Sequence, residues 1–203
     1  MEAQDYAVFL SYLKEYLLPK DEVGLRNRLA DPATTYKEKE KILRALRLNN
    51  FADEIKLLAY CLMPNHFHFL VKQTSANSID KFTNSLGTRY SIYFNKKYAR
   101  VGSLYQGVYK AVLVKNDEQL IHLSRYIHKQ ALATKGQALR AWENQPCSFP
   151  EYVGERKTDW IHSEEVLSFF SKSSPTLSYR SFIEGALDLE KIQDILLEES
   201  EGF

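Results

Sequence analysis

Cysteine is scarce in this chain: among 203 residues there are two, Cys61 and Cys147, at no spacing that suits a metal ion. A cysteine-built metal centre is thereby excluded, and Cys61, set in an apolar strand, reads as a buried reduced thiol. No apolar run approaches the length of a membrane-spanning helix. The start, Met1-Glu-Ala-Gln-Asp5, lacks the basic opening of a secretory signal, so a cytoplasmic protein is expected. There is no internal repeat and no low-complexity segment. Net charge is only +1, so the total argues neither for nor against a polyanionic partner.

The distribution of charge is more informative than its sum. From Lys81 to Gln130 nine basic residues face only Asp117 and Glu118, whereas Glu184–Phe203 carries seven acidic residues against Lys191. A basic middle and an acidic tail point to a polyanion for the middle. A hydrophobic content of 44% is enough for one packed core at this length. Tyr6, Phe9, Leu10, Leu13, Leu17 and Leu18 recur at helical spacing over residues 5–18, and Pro19 ends the pattern. Residues 19–50 read as a charged, mobile connector with a short helix from Lys37 to Leu48. Ile55–Met63 and His66–Gln73 read as strands of an antiparallel hairpin turning at Pro64-Asn65. A helix over Ile79–Tyr98, a third strand at Val108–Val114 and a helix from Asp117 to Ala133 follow. The chain therefore divides into 1–136 and a C-terminal extension, 137–203, mostly helical, with a helix expected at Asp159–Phe170. The class is α+β, helices against an antiparallel sheet.

Within the hairpin, His66 and His68 stand two positions apart, so on a strand their imidazoles share one face. Alone, such a pair is more often structural than catalytic. The helix from Asp117 places His122, Tyr126 and Gln130 at successive i, i+4 positions. Two imidazole nitrogens and the Gln130 amide oxygen make a neutral ligand set with open positions for Mg²⁺ or Mn²⁺. Tyr126 is then placed as a nucleophile toward a phosphodiester, with His122 and His128 as auxiliary candidates. Arg89, Lys96, Lys97, Arg100, Lys110 and Arg125 are candidate phosphate contacts, and Tyr90, Tyr93 and Tyr105 candidate stacking platforms for bases.

The stretch Leu58-Ala-Tyr-Cys-Leu-Met-Pro-Asn-His-Phe-His-Phe-Leu-Val71 closely resembles the signature of the single-tyrosine HUH transposases, in particular their REP-associated branch. The resemblance extends through Gly87–Tyr98, Gly102–Gly107, Leu123–His128 and Cys147–Gly154, roughly residues 5–170 in all. It implies a ferredoxin-like fold, metal ligands at His66 and His68, and a nucleophile at Tyr126. Many REP-associated members have asparagine where this chain has Gln130; insertion-sequence enzymes use glutamine there as third ligand. The implied activity is metal-dependent cleavage and transfer of single-stranded DNA at hairpins through a 5′-phosphotyrosine, with a homodimer compatible. One departure stands out: the family opens with a strand, and this chain opens with the helix at Asp5–Leu18. Without that strand, sheet donors and acceptors are expected to lack partners. The alternative function is a truncated or domesticated relative that holds hairpin DNA without cutting it.

Overall fold

The computed structural model describes residues 2–132, 145–186 and 188–193. The first helix, α1 (Ala3–Leu17), buries Tyr6, Phe9, Leu13, Tyr16 and Leu17 along one face. A reciprocal cap starts it: the Asp5 carboxylate accepts from the Glu2 N–H at 2.8 Å, satisfying a donor that a helix start leaves over. Two further helices, α2 (Glu22–Ala30) and α3 (Tyr36–Arg47), pack on each other. Nothing on α2 is buried, which is why the sequence showed no apolar stripe there; α3 buries only Ile42.

The hairpin then forms, β1 (Ile55–Leu62) against β2 (Phe67–Gln73), antiparallel, with Cys61 opposite His68 and Leu62 opposite Phe67. The register shifts between Leu57 and Ala59, a bulge that inserts one residue and exchanges the faces of the strand. Ile55, Leu57, Tyr60 and Leu62 thus join one core cluster, and Leu58, Ala59 and Cys61 the other. Helix α1 and the long helix α4 (Ser78–Lys97) cover the first face, with Phe82, Leu86 and Tyr90 of α4 fully buried one turn apart. Helix α5 (Asp117–Leu132) covers the second face through Ile127 and Ala131. The expected α+β architecture, an antiparallel sheet with helices and a helical C-terminal part, is the one observed.

Two expectations are corrected. Val108–Val114 is not a strand: among the described residues the sheet has two strands, and Val108 and Leu113 are 84% and 78% exposed. A strand needs a neighbouring edge to pair with, and among the described residues no bridge joins this segment to one. Residues 67–73 and 109–117 instead line a groove of about 600 Å³. Asp159–Phe170 is not one helix either. It starts with a turn at Asp159-Trp160, after which Ile161 bridges to Leu57 with His162 N–H donating to the Leu57 carbonyl at 2.9 Å, and only Glu164–Leu167 (α7) is helical.

That departure shows what lies on the outer edge of β1. The Leu62 N–H donates to the Pro146 carbonyl at 2.9 Å and the Ser148 N–H to the Tyr60 carbonyl at 3.0 Å. The Tyr60 N–H donates to Ser148 Oγ at 2.8 Å, and the Tyr152 hydroxyl to the Leu58 carbonyl at 2.9 Å. The extension, with its short helices α6 (Phe149–Tyr152), α7 and α8 (Tyr179–Glu184), thus supplies the partners that β1 needs on that side.

One buried ionic cluster ties α1 to the end of α4. Asp5 is fully buried and accepts from Lys97 Nζ at 2.7 Å, the Tyr98 hydroxyl at 2.7 Å and the Tyr93 hydroxyl at 3.1 Å. Burial alone would raise its pKa, but these bonds and the one from Glu2 outweigh it and hold the carboxyl at about 2 instead of 3.8. Such a depression stabilises the fold by on the order of 2 kcal/mol above pH 4, a contribution lost as pH falls through about 2. Asp5→Asn should therefore lower the unfolding midpoint at pH 7 and flatten the acid limb below pH 4; an unchanged denaturation curve would refute the assignment.

Candidate functional site

The turn at Pro64-Asn65 closes with the Met63 N–H donating to the His66 carbonyl at 2.8 Å. It holds His66 at the mouth of the hairpin and His68 one residue inside β2. Their Nε2 atoms approach to 3.1 Å, the rings edge to face at 4.8 Å between centroids. The shared strand face expected from the two-residue spacing is therefore realised, with the nitrogens converging on one point. Asn65 Oδ1 lies 2.8 Å from His66 Nδ1. If Nδ1 carries the proton it donates to that carbonyl, which leaves the Nε2 lone pair pointing outward. Asn65 is a site residue that the sequence reading passed over as turn chemistry, although it adjoins the histidine it orients.

Tyr126 reaches the same place from the other side. Its ring lies 5.8 Å from that of His68, edge to face, and both residues line the groove beside β2. Ile127 and Leu123, its neighbours on α5, pack in the second core cluster, so the helix is seated by apolar contacts that leave Tyr126 half-buried at the groove. Gln130 is half-buried one turn further along, and among the described residues no hydrogen bond holds its amide. The pair of histidines and the tyrosine are thus brought together within one chain. The donor chemistry suits a divalent cation: two imidazole nitrogens 3.1 Å apart can share one ion at an ordinary metal–nitrogen distance of about 2.0–2.1 Å.

The two auxiliary histidines face elsewhere. His128, with no exposed surface, sits between the Tyr179 hydroxyl (2.7 Å from Nδ1) and Ser148 Oγ (2.8 Å from Nε2). Burial pushes its pKa down to about 3, so the ring is neutral and structural, and it does not reach the histidine pair. Tyr179 continues the chain to Ser124 Oγ at 3.0 Å. His122 packs on Phe182 of α8, ring centroids 5.3 Å apart, its pKa lowered by burial and then by the charges of Lys191 and Arg125. Both tether α5 to the extension.

The basic candidates separate in the same way. Arg125 is only 4% exposed and lies over the Phe182 ring at 4.4 Å, so it packs and does not present a charge for phosphate. Lys97 is taken by Asp5 and Glu2. Arg89 pairs with Glu15 at 2.7 Å and stacks on Tyr12 at 3.7 Å. Lys96, Arg100 and Lys110 remain exposed, and Lys110 borders the groove that holds His68 and Tyr126. Of the stacking candidates, Tyr90 is fully buried in the α1–α4 core, Tyr93 bonds to Asp5, and Tyr105 packs edge-on to Phe67 at 6.2 Å. Tyr90 is therefore withdrawn as a base platform; its helical spacing with Phe82 and Leu86 marked it as core.

The α+β fold thus sets a histidine pair on a hairpin against a tyrosine on a helix. Residues 31–130 match the family model for IS200-like transposases, a span that runs from the end of α2 through α3, the hairpin and α4 to Gln130. The match covers 100 of the 203 residues and supports assigning the chain to that family. No curated protein and no solved structure matches it. No helix among the described residues is long and apolar enough to cross a membrane.

Proposed function

We propose that this protein cuts and rejoins single-stranded DNA beside hairpins, with Tyr126 as the attacking group. The family match supports a DNA-transposition role; the convergence of His66 and His68 beside Tyr126 is the observation that carries the finer reading. His66 and His68, with Gln130 as third ligand, would hold Mg²⁺ or Mn²⁺. When bound, such an ion supplies positive charge that polarises the scissile phosphate.

The phenol of Tyr126 must shed its proton as Oη attacks phosphorus. The Oη–P bond forms while the bond from phosphorus to the departing 3′ oxygen breaks, and that oxygen takes up a proton. The product is a 5′-phosphotyrosine and a free 3′ hydroxyl. One phosphoester replaces another, so the step is close to balanced in energy and can run backward to join strands. Asn65 orients His66, and α5 holds Tyr126 at the groove, where Lys110 would meet the DNA backbone.

Incubating the protein with a labelled single-stranded hairpin oligonucleotide tests this. Cleavage is expected with Mg²⁺ or Mn²⁺ and not with a chelator. Binding without cleavage under every metal condition would instead favour the relative that holds hairpins without cutting.

A further inference from the structure

Cys61 and Cys147 are the only cysteines of the chain, and 85 residues separate them in sequence. The fold sets them directly opposite each other, Cys61 on β1 and Cys147 at the start of the extension, as an antiparallel bridge. The flanking hydrogen bonds fix the type of pair. The Leu62 N–H donates to the Pro146 carbonyl and the Ser148 N–H to the Tyr60 carbonyl, so the bonds bracket the cysteines and none runs between them. In such a non-hydrogen-bonded pair the Cα atoms lie about 4.5 Å apart, with the side chains on one face and close together. A disulfide spans Cα separations of about 4.4–6.8 Å. Both residues are buried, belong to the same core cluster, and carry free thiols.

We propose that Cys61 and Cys147 form a redox modification site, a disulfide pair that clamps the C-terminal extension onto the outer edge of β1. The reaction takes a small disulfide as oxidant. One thiol, as thiolate, attacks oxidised glutathione and releases one reduced glutathione. The second thiol then attacks the mixed disulfide and releases another, leaving the Cys61–Cys147 bond. Two thiols lose their hydrogens, and one glutathione disulfide is reduced to two thiols.

Burial pushes both thiols up, Cys147 to about 12 and Cys61 further, the neighbouring thiol adding to the effect. Reaction in the closed fold is accordingly slow, and it proceeds when residues 145–149 lift from β1. Once made, the bond closes a long loop and restrains the extension that carries Ser148, the hydrogen-bond partner of His128 on α5. Cys61 is also the register partner of His68, so the clamp lies one strand away from the histidine pair. The pairing stands on the β1 edge alone and holds whatever chemistry Tyr126 performs.

The test is equilibration of the full chain in oxidised glutathione, followed by acid quench, alkylation and mass spectrometry. Most of the protein should lose the mass of two hydrogens, take up no alkylating reagent, and yield a crosslinked Cys61–Cys147 peptide pair. The oxidised form should unfold at higher denaturant than the reduced form, and Cys147→Ser should show neither change. A second incubation in low urea lets the extension open, with circular dichroism confirming that the protein regains its fold on dilution. Cysteines that stay alkylatable in both incubations, that each carry glutathione, or that link two chains would overturn the pairing and leave two buried apolar fillers.

Discussion

His68→Ala should reduce strand cleavage by two orders of magnitude or more while leaving the thermal midpoint within a few degrees of the parent. The first half follows from convergence: with one of two nitrogens 3.1 Å apart removed, the remaining ligands hold a divalent cation far more weakly. Loss of an outer-shell partner typically lowers metal affinity about 10–100-fold, and loss of a direct ligand should exceed that. The second half follows from location. His68 is half-buried at the rim of the groove and not in either core cluster, so truncation leaves no large cavity. Calorimetric titration with Mn²⁺ reads the metal directly, and the variant should show binding lost with the fold intact. Asn65→Ala is the graded companion: His66 keeps its ring but loses its orienting carbonyl, and a smaller loss of Mn²⁺ affinity is expected. Cleavage by His68→Ala at the parent rate would remove the histidine pair from the mechanism.

The other large effect is on stability, at His128. Its ring fills a closed space between Tyr152, Phe149 and Tyr179 and bonds at both nitrogens. His128→Ala removes the ring, leaves the Tyr179 hydroxyl and Ser148 Oγ each short of a partner, and opens a cavity. Together these should lower stability by about 3–5 kcal/mol. The pH dependence has a definite sign. The folded pKa, about 3, lies below the ordinary 6.5, so protons favour the unfolded chain between those values. Stability from this group is fully present above pH 6.5 and is lost as pH falls toward 3, with a slope on the order of 1.4 kcal/mol per pH unit. Asp5 acts only below pH 4, so between pH 6.5 and pH 4 it does not mask this group. His128→Gln keeps a polar group without a titrating ring; it should flatten the decline between pH 6.5 and pH 4, which Asp5→Asn should leave in place. An unaltered slope there would show that other groups carry the dependence.

The two histidine results show what sequence can and cannot reveal. His66 and His68 were legible because a strand converts spacing directly into a shared face, and Tyr126 because i, i+4 spacing marks a stripe. Helices α1, α3, α4 and α5 were legible for the same reason, from the recurrence of residues such as Phe9 and Leu13 or Phe82 and Leu86. His128 was visible only as a histidine two residues from Tyr126. Its burial depends on Ser148 and Tyr179, 20 and 51 residues away in sequence, and no local pattern announces such a partner. Arg125 reads as a surface charge until Phe182 is seen beneath it. The expected strand at Val108–Val114 failed for a related reason. Alternation measures suitability for a sheet, whereas pairing requires an edge, and here the edge of β2 lies across a groove. The extension was misjudged in the opposite direction: Cys147 and Ile161 contribute isolated bridges to β1, too short to show as strand patterns.

The central proposal is that Tyr126 becomes covalently joined to DNA beside the histidine pair. A 3′-labelled hairpin strand is incubated with protein and Mn²⁺, resolved on a denaturing gel, and the shifted band is digested and mapped by mass spectrometry. A nucleotide attached to the peptide containing Tyr126 is expected, with the band absent from Tyr126→Phe although that variant still binds the hairpin. An adduct that persists in Tyr126→Phe, or cleavage that proceeds with no protein attached to DNA, would contradict it.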